Sequence, residues 1–466
     1  MRAAAINSAN TEDWDKEKRA LLANEVDLLL ISPERLANDG FVEDVLRPIA
    51  GKIALLVIDE AHCISDWGHD FRPDYRRIVG IIRQLPHNVA VLATTATANS
   101  RVVADVEAQL GGNLKTLRGP LARESLKLQV LDLPDAASRL AWLADRIPAL
   151  PGSGIVYALT VRDCIRVTQW LRSWRINADA YYGAQDGDAR ERHEQDLLAS
   201  RVKCLVATTA LGMGFDMPDL GFVIHFQMPG SVVFYYQQVG RAGRAIPEAY
   251  GVLMSGTEDE DINAYFRNRA FPAEQHVTAV LQSLADSEHG LTLSGLESAL
   301  NLRRSQIEQV LKLLAVEDPA PVVRDDRRWA RTAVRWRMDR ERIERLTRRR
   351  ETEWAQMQAY MNSRSCYMAF LSGALDDPDA RPCGKCAACM GRPLLAVRPE
   401  AGTLAEAQRF LRRSEMPLPP KKRFPQGGLP GYGWRGGPIP GNLIAEPGRV
   451  LARWGEIGLG DRKSVV

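Results

Sequence analysis

The stretch ALLVIDEAHCISDWGHDFRPDY, residues 54–75, carries the strongest indication of the fold, because it joins a short apolar run to an acidic pair. The run at 54–58 suits a strand of a parallel sheet that is covered on both faces. Asp59 and Glu60 follow at the carboxyl end of that strand, where α/β folds bind phosphates and magnesium. We predict that Asp59 holds the metal through water and that Glu60 orients or deprotonates the attacking water. A pair that only caps the next helix is the alternative, and Ala61-His62 argues against it.

The loop that follows concentrates aromatic and basic side chains. It contains four residues within six positions: Trp67, His69, Phe71 and Arg72. Exposed aromatic rings beside an arginine can stack on unpaired bases. Alternatively, Trp67 and Phe71 fill the core, and the sequence alone leaves these two interpretations open.

Similar apolar runs recur along the first half of the chain and predict an α/β fold. One series lies at 26–32, 52–60 and 88–96, and a second lies at 126–133, 153–159, 202–209, 221–226 and 250–255. Apolar strands that alternate with helices are typical of parallel sheets. The Gly119-Pro120 join separates the two series. We therefore predict two α/β domains, at residues 1–118 and 119–257.

The second series carries its own candidate site. VATTALGMGFDMPDLGFVIHF, residues 206–226, places Gly212, Gly214 and Asp216 just after a strand, where glycines allow a close approach to phosphate or DNA. YYQQVGRAGRA, residues 235–245, sets Arg241 and Arg244 on one predicted helical face. Two guanidinium groups aimed at a nucleotide of the first domain would act as arginine fingers. An ordinary surface pair is the alternative. ATTATA at 93–98 is a weaker candidate, whose hydroxyl groups could link a nucleotide site to a neighbouring domain.

Composition and charge exclude several classes of protein. Among 466 residues, 61 Lys and Arg stand against 58 Asp and Glu, so a globally basic DNA-coating protein is excluded while a local basic patch is not. Neither a secretory signal nor a run long enough to span a membrane is present in the sequence. Seven cysteines in so long a chain do not indicate a disulfide framework. We expect a cytoplasmic protein of bacterial type, associated with the nucleoid, that does not bind membranes.

Residues after 257 have a different character. Two predicted capping boxes, Ser294 to Glu297 and Ser305 to Glu308, open short helices, and PVVRDD at 321–326 suits a strand. We predict a winged-helix-like region at 258–336, followed by a long charged helix from about Asp339 to Asn362. Residues 416–441 hold seven Pro and seven Gly, so the final region, 396–466, is interpreted as a linker and a C-terminal segment.

Four cysteines between these regions have the spacing of metal ligands. Sixteen residues separate Cys366 from Cys383, and two residues separate each later pair, Cys383 from Cys386 and Cys386 from Cys389. Four thiolates at such spacing suit a tetrahedral structural Zn²⁺ that stabilises a small module. We assign this module, with the long helix, to residues 337–395. The other cysteines, Cys63, Cys164 and Cys204, are interpreted as core residues.

A basic stretch precedes the cysteines. Residues 324–350 hold twelve Arg against five acids, with two Trp interleaved. A DNA-backbone contact is one interpretation, and a solvated helix with ion pairs is the other. The second interpretation fits 339–350 better, so DNA contact is predicted only for the first half, which includes Arg327, Arg328 and Arg331.

In this order the motifs resemble those of the RecQ family of superfamily 2 DNA helicases. The resemblance rests on SPERL (32–36), the 59–75 string, TTATA, GIVYALT (154–160), ATTALGMGFDMPD and QQVGRAGR, and it covers roughly residues 3–260. It implies two RecA-like domains, the first incomplete, Mg²⁺ and ATP at Asp59, Glu60 and His62, and arginine fingers at Arg241 and Arg244. It also implies nucleotide contacts by Gly214, Asp216 and Gln237, an aromatic loop that couples DNA to hydrolysis, and a four-cysteine zinc module.

The chain also departs from the family pattern. It contains no G-x-x-x-x-G-K-[ST] stretch, which cradles the phosphates of ATP, so we expect this chain alone not to hydrolyse ATP at a useful rate. Gln238 replaces the usual Glu, Ala245-Ile246 replaces Asp-Gly, and the winged-helix candidate precedes the cysteines rather than following them. We expect further sequence before Met1 and beyond about Gly460, because DRKSVV at the end matches a translated sequencing adapter.

These observations predict an ATP-dependent DNA helicase of 3′-to-5′ polarity that acts in repair or recombination. The expected ligands are ATP, Mg²⁺ and Zn²⁺, and the expected partner is DNA in single-stranded, duplex or junction form. Protein partners are not indicated. The competing hypothesis is an ATPase-inactive DNA- and zinc-binding remnant.

Overall fold

The computed structural model describes most of the chain up to residue 450. The described residues are 2–6, 14–65, 75–86, 88–97, 99–111, 114–212, 215–315, 317, 319–325, 327–413, 416–418, 420–422, 424, 430–433, 439–446 and 448–450. The chain forms two compact units. The first comprises residues 1–119 and 271–346, and the second comprises residues 120–270 and 347–466.

Strands and helices alternate through the first half of the chain, as the apolar runs predict. The strands are β1 (Ala3–Ile6), β2 (Leu28–Ile31), β3 (Leu55–Ile58), β4 (Ala90–Ala93), β5 (Leu126–Asp132), β6 (Gly154–Tyr157), β7 (Ala178–Tyr181), β8 (Cys204–Ala207), β9 (Phe222–His225), β10 (Ala249–Ser255), β11 (Leu291–Thr292), β12 (Val322–Asp325), β13 (Arg328–Arg331), β14 (Met416–Leu418) and β15 (Gly448–Val450). The helices of the first half are α1 (Trp14–Leu22), α2 (Asp39–Phe41), α3 (Arg47–Ile49), α4 (Tyr75–Ile82), α5 (Ser100–Leu110), α6 (Ala136–Arg146), α7 (Val161–Ser173), α8 (Gly187–Leu198) and α9 (Val232–Val239).

The remaining helices follow the last strand of the large sheet. They are α10 (Asp259–Asn268), α11 (Glu274–Ala285), α12 (Leu293–Ala299), α13 (Arg304–Ala315), α14 (Arg340–Met361), α15 (Tyr367–Ala374), α16 (Ala387–Met390) and α17 (Ala401–Arg413). In the part of the chain that the structure describes, no helix combines the length and apolar character that crossing a membrane requires.

The second unit is built on a six-stranded parallel sheet in the order β5-β10-β9-β6-β8-β7. Successive residues of its central strands enter different cores. Ile155 and Tyr157 belong to one buried cluster, whereas Val156 and Ala158 belong to another. The sheet is therefore covered on both faces, which explains why β6, β8 and β9 are wholly buried. β7 was not predicted because Asp179 and Ala180 are only half-buried and its run is not continuously apolar.

The first unit pairs its parallel strands two by two. β1 pairs with β2, and β3 pairs with β4 with Ile58 opposite Ala93. Alternate side chains of β3 and β4 are exposed to solvent. Leu55 is 51% exposed, Val57 is 50% exposed and Leu92 is 48% exposed. Among the described residues, therefore, these strands bury only one face well.

Residues 271–346 form three helices and a small antiparallel sheet in the order β11-β13-β12. The predicted capping boxes are displaced. Thr292, not Ser294, caps α12 by accepting a hydrogen bond from the Gly295 N–H at 3.0 Å. Before α13 the side chain of Gln306 accepts from the Arg303 N–H at 2.9 Å. Both boxes were assigned two residues late. At α12 this happened because Thr292 is as good a cap as Ser294.

The long charged helix was predicted closely, and it is α14. Residues 401–413, in the stretch interpreted as a linker, form α17, which places Ala407 in the second unit's core. The preceding chain is fixed by side chains of that unit. The buried amide of Gln129 accepts from the Leu394 and Leu395 N–H groups at 2.8 Å each, and the Trp142 indole donates to Ala396 O at 2.8 Å. The helical pattern of 401–413 was masked by its polar composition.

Candidate nucleotide site and nucleic-acid interface

Asp59 lies at the carboxyl end of β3, as the sequence predicts, and it is exposed. Its Oδ1 accepts the Thr94 hydroxyl at 2.8 Å and the Glu60 N–H at 2.9 Å. Thr94 follows β4 directly, so the parallel pairing of β3 with β4 brings the ATTATA stretch to the acidic pair. The hydroxyl groups of that stretch thus act locally, on the carboxylate.

Glu60 adopts a left-handed backbone conformation with φ of +51°, which is uncommon for a residue other than glycine. Such conformations cluster at functional sites. Its Oε2 is buried, accepts no hydrogen bond among the described residues and lies 3.3 Å from His62 Nδ1. His62 is fully buried, with Nδ1 3.0 Å from Thr95 Oγ1. An exposed carboxylate beside a carboxylate with an unused oxygen fits a hydrated Mg²⁺ and a water nucleophile.

Several predicted residues lie outside the described part of the chain. They are the four of the aromatic loop, Trp67, His69, Phe71 and Arg72, together with Gly214 of the second domain. Their roles stay predictions.

The arginine pair lies beyond the end of α9, not on its face. The helix ends at Val239 with Gly240 as its cap, and Gly243 has φ of +73°, so the chain turns away before Arg244. The prediction of one helical face was wrong because these glycines end the helix. Gln237 remains on α9 and is half-buried.

The two arginines have different environments. Arg241 is buried and donates to Gly212 O at 2.6 Å and to Phe215 O at 2.8 Å, so its guanidinium holds the loop after β8. Arg244 is partly exposed and forms an ion pair with Asp216 at 2.7 Å. Both side chains are therefore engaged with the loop of their own domain, Arg241 firmly and Arg244 at the surface.

A buried polar pair lies beneath α9. His225 Nε2 is 2.6 Å from Gln238 Oε1, and the His225 ring stacks on Tyr157 with centroids 5.2 Å apart. Burial lowers the pKa of His225 to about 4, so the imidazole is neutral at physiological pH. The Tyr157 hydroxyl in turn donates to Leu211 O at 3.1 Å, beside the loop that Arg241 holds.

The sequence interpretation found the loop after β8 but missed the start of α7, which lies at the same edge of the second sheet. Because the strands are parallel, the residues after β6, β7 and β8 meet at one edge, where α7 and α8 begin. Thr160 caps α7 by accepting from the Asp163 N–H at 3.1 Å, and Arg162 follows in its first turn. Helix N-termini at such an edge are suited to bind phosphate. The signal was available in the Thr-x-x-Asp pattern at 160–163.

The three arginines predicted to contact DNA are not equivalent. Arg328 donates to Gly290 O at 3.0 Å and Arg331 donates to Leu281 O at 3.4 Å, so both brace the antiparallel sheet. All three side chains are exposed, but Arg327 lies in the turn between β12 and β13. It is therefore the member of the set best placed to meet a phosphate.

The four predicted metal ligands come together. The sulfur atoms of Cys366, Cys383, Cys386 and Cys389 all lie within 4.8 Å of one another. Cys366 caps α15 and Cys386 caps α16, and both are buried in the core that also contains Tyr235 of α9. Four clustered thiols that can ionise match the donor set of structural Zn²⁺.

Comparison with known proteins agrees with this geometry. A DEAD/DEAH box helicase model matches residues 2–106, and a helicase conserved C-terminal domain model matches residues 140–246. A structure of Mycobacterium smegmatis helicase Lhr bound to ssDNA and AMP-PNP is 22% identical with a TM-score of 0.47, over 72% of this chain and 48% of that chain.

Curated relatives are more similar in sequence. The ATP-dependent DNA helicase RecQ of Haemophilus influenzae is 34% identical over 258 residues, 54% of this chain and 40% of the relative. The Bacillus subtilis protein of the same name is 34% identical over 56% of this chain and 43% of the relative. The RecQ-like DNA helicase blm-1 of Caenorhabditis elegans is 35% identical over 50% of this chain and 24% of the relative. The matched stretch spans less than half of each relative. Over about half of its length, therefore, the chain is similar to DNA helicases of RecQ type, and its two α/β domains match the DEAD/DEAH box helicase and helicase conserved C-terminal domain models.

Proposed function

We propose that this chain forms the motor region of an ATP-dependent DNA helicase of RecQ type, which separates strands with 3′-to-5′ polarity in repair or recombination. The observation that carries the proposal is the junction of Asp59, Glu60 and Thr94 at the carboxyl ends of β3 and β4. The printed names of the relatives, ATP-dependent DNA helicases, support the same activity.

In the proposed reaction Asp59 would hold a hydrated Mg²⁺, which would neutralise charge on the phosphates of ATP. Glu60 would accept a proton from the attacking water, while its buried Oε2 lies 3.3 Å from His62 Nδ1. His62 stays buried beside Glu60 and Thr95 and fixes their orientation.

The second domain contributes the remaining nucleotide contacts. We assign Gly214, Asp216 and Gln237 to nucleotide binding and Arg241 and Arg244 to the stabilisation of charge on the γ-phosphate. Arg244 can exchange partners easily, because an exposed ion pair such as Arg244–Asp216 contributes about 1 kcal/mol or less. Arg241 is held by two carbonyl oxygens and is better placed to keep the loop at 212–216 in shape.

The cysteine cluster is proposed to hold one Zn²⁺ through its four thiolates. The ion would supply folding free energy and no chemistry, because four protein ligands leave no open position for substrate. Residues 274–331 are proposed to be a winged helix, since three helices and the sheet order β11-β13-β12 match that topology. Arg327 at the tip of its hairpin would contact the phosphates of duplex or junction DNA, with Arg328 and Arg331 as its supports. We propose a cytoplasmic location.

The motor proposal is tested in a chimera, because the chain itself has no G-x-x-x-x-G-K-[ST] stretch. A segment of a relative that carries this loop is placed before residue 2. The chimera is expected to hydrolyse ATP only with single-stranded DNA and to unwind duplexes with a 3′ tail but not a 5′ tail. Glu60→Gln should abolish both activities. Hydrolysis that persists in Glu60→Gln, or unwinding of 5′-tailed duplex alone, would contradict the proposal.

The competing hypothesis is an ATP-independent DNA- and zinc-binding protein, and the unmodified 466-residue chain tests it. This candidate predicts binding of DNA that weakens steeply with salt, and no hydrolysis. DNA-stimulated hydrolysis by the unmodified chain that Glu60→Gln removes would overturn it.

A further inference from the structure

Helix α10 follows the last strand of the second unit and is docked tightly by one face. The buried carboxylate of Asp259 accepts from the Gly256 N–H at 2.9 Å and the Met228 N–H at 3.1 Å. One turn later the buried amide of Asn263 donates to Met228 O at 3.0 Å. These bonds fix the rotation of α10 about its axis, so the side chains on its other faces are held in fixed positions.

Two neighbouring aromatic residues lie outside this docked face. Tyr265 is 51% exposed and Phe266 is 47% exposed, and their ring centroids are 5.8 Å apart with planes at 80°. Each aromatic side chain presents a large apolar area. Exposing two apolar rings to water is unfavourable, and a flat apolar partner that covers them would remove this cost.

A cation accompanies the pair. The Arg269 guanidinium carbon lies 4.4 Å from the centroid of the Tyr265 ring, and its Nη1 donates to the Tyr265 hydroxyl at 2.8 Å. Arg269 thus covers one ring at the C-terminal end of α10. Among the described residues no guanidinium or ammonium group lies over Phe266. The result is one cation-bound ring beside one open ring.

The acidic start of α10 does not oppose an anionic partner as strongly as its sequence suggests. Glu258 pairs with the buried Arg139 at 2.5 Å, and Glu260 pairs with Arg267 at 2.7 Å. Asp261 is exposed and forms no ion pair with the described residues. Most of the negative charge is therefore balanced within the unit, one or two turns away from the rings.

We propose that Tyr265 and Phe266 are a stacking site for unpaired bases of single-stranded DNA, with Arg269 beside the backbone phosphate. The inference rests on the proposed function, because strand separation supplies the single strand. Aromatic faces accept any base, so the site is indifferent to sequence. The positive charge of Arg269 beside the rings complements a phosphate backbone, and this charge is the observation that selects nucleic acid as the partner.

The test measures binding of a fluorescein-labelled oligothymidylate to the full 466-residue chain by anisotropy. The double variant Tyr265→Ala/Phe266→Ala is expected to bind at least about tenfold more weakly, whereas Phe266→Trp retains affinity. Arg269→Ala should lower the slope of log K against log salt by about 0.7, the value for one contact to a single strand. Ultraviolet cross-linking of an iodouracil oligonucleotide is expected to label the peptide that contains residues 265–269.

The matched control is Leu198→Ala, which removes a side chain of similar exposure (49%) from the same unit. If the wild-type chain binds the oligothymidylate and the double variant binds it as tightly as this control, the inference is overturned but the proposed function is not. No binding of DNA by the wild-type chain would overturn the proposed function as well. A double variant that changes oligomeric state in sedimentation, without a change in DNA affinity, would identify a protein interface and also overturn the inference.

Discussion

The two α/β domains use the same kind of strand in different surroundings. In the second domain β6, β8 and β9 are wholly buried between two cores, whereas in the first domain alternate residues of β3 and β4 are exposed. Yet the first domain holds the more strongly predicted site. The Asp59–Thr94 hydrogen bond needs only two adjacent strands. Local site geometry therefore depends on strand pairing, whereas stability depends on the layers that cover the sheet.

The largest expected effect concerns the cysteine cluster, which belongs to the better-covered unit. Cys386→Ser should lose the Zn²⁺ and abolish or strongly lower the thermal transition of the second unit, because Cys386 is fully buried in its core. Structural zinc sites in small peptides contribute about 10–16 kcal/mol, an upper guide here. Metal content by mass spectrometry and calorimetry measure the outcome.

The control for this variant is Cys204→Ala, which removes a buried thiol of β8 away from the cluster. It should keep one zinc per chain and lose about 1–2 kcal/mol of stability. A Cys386→Ser chain that melts like the control would show that the cluster is not a structural centre.

A second prediction tests the contrast in burial directly. Trp142→Ala should cost about 3–5 kcal/mol in the free energy of unfolding, because Trp142 is fully buried and donates to Ala396 O. Leu92→Ala should cost less than about 1 kcal/mol, since Leu92 is 48% exposed. Urea titration of each variant measures the two values. Similar costs would mean that the exposed face of β3 and β4 is covered in solution.

The third prediction concerns pH. The pKa of His225 falls from 6.5 to about 4 on folding, so between these values the unfolded chain binds the extra proton. Stability should therefore fall as the pH drops from about 6.5 to 4, by up to roughly 3 kcal/mol. Asp259 has the opposite effect on stability. Burial raises its pKa to about 7, so the folded chain binds the extra proton and stability from this group rises as the pH falls.

The variants separate these two contributions. His225→Asn should remove the loss of folding stability at low pH. Asp259→Asn should remove the opposing gain of stability. Urea titrations between about pH 4 and pH 7 measure both effects. The exposed His289→Asn is the control and should follow the wild-type profile. A His225→Asn profile parallel to that of the wild type would show that His225 does not stay neutral in the fold.

The smallest expected effects on stability are those of substituting Arg241 and Arg244, and they should differ between the two. Arg241→Ala should destabilise the second unit by about 2–3 kcal/mol, because two carbonyl oxygens lose a charged donor. Arg244→Ala should cost less than about 1 kcal/mol, because its ion pair is exposed. Thermal unfolding measures both. Equal costs would show that burial does not set the difference between them.

Much of the fold could be predicted from local sequence patterns, that is, from apolar runs and from the spacing of charged residues. Apart from β1 and β7, the strands of both domains lie within the predicted apolar runs to within one residue, and α14 matches the charged helix within a residue at each end. The caps of α12 and α13 could not be assigned, because several residues in each loop can accept or donate the same bond. The end of α9 was missed for a similar reason, since the glycines that stop it also occur within helices.

The sequence by itself determined the resemblance to RecQ-type helicases, the acidic pair after β3 and the cysteine set, because these depend on residue type at fixed spacing. Only the tertiary structure decided which arginines are free to act. Arg241 is buried and holds its own loop, and Arg328 donates to Gly290 O although it is exposed. Arg244 forms an exposed ion pair, and Arg327 lies exposed in a turn. The physical reason is that hydrogen-bond partners of a long side chain lie far away in sequence. A guanidinium group therefore shows its role only when the fold has placed carbonyl or carboxylate oxygens beside it.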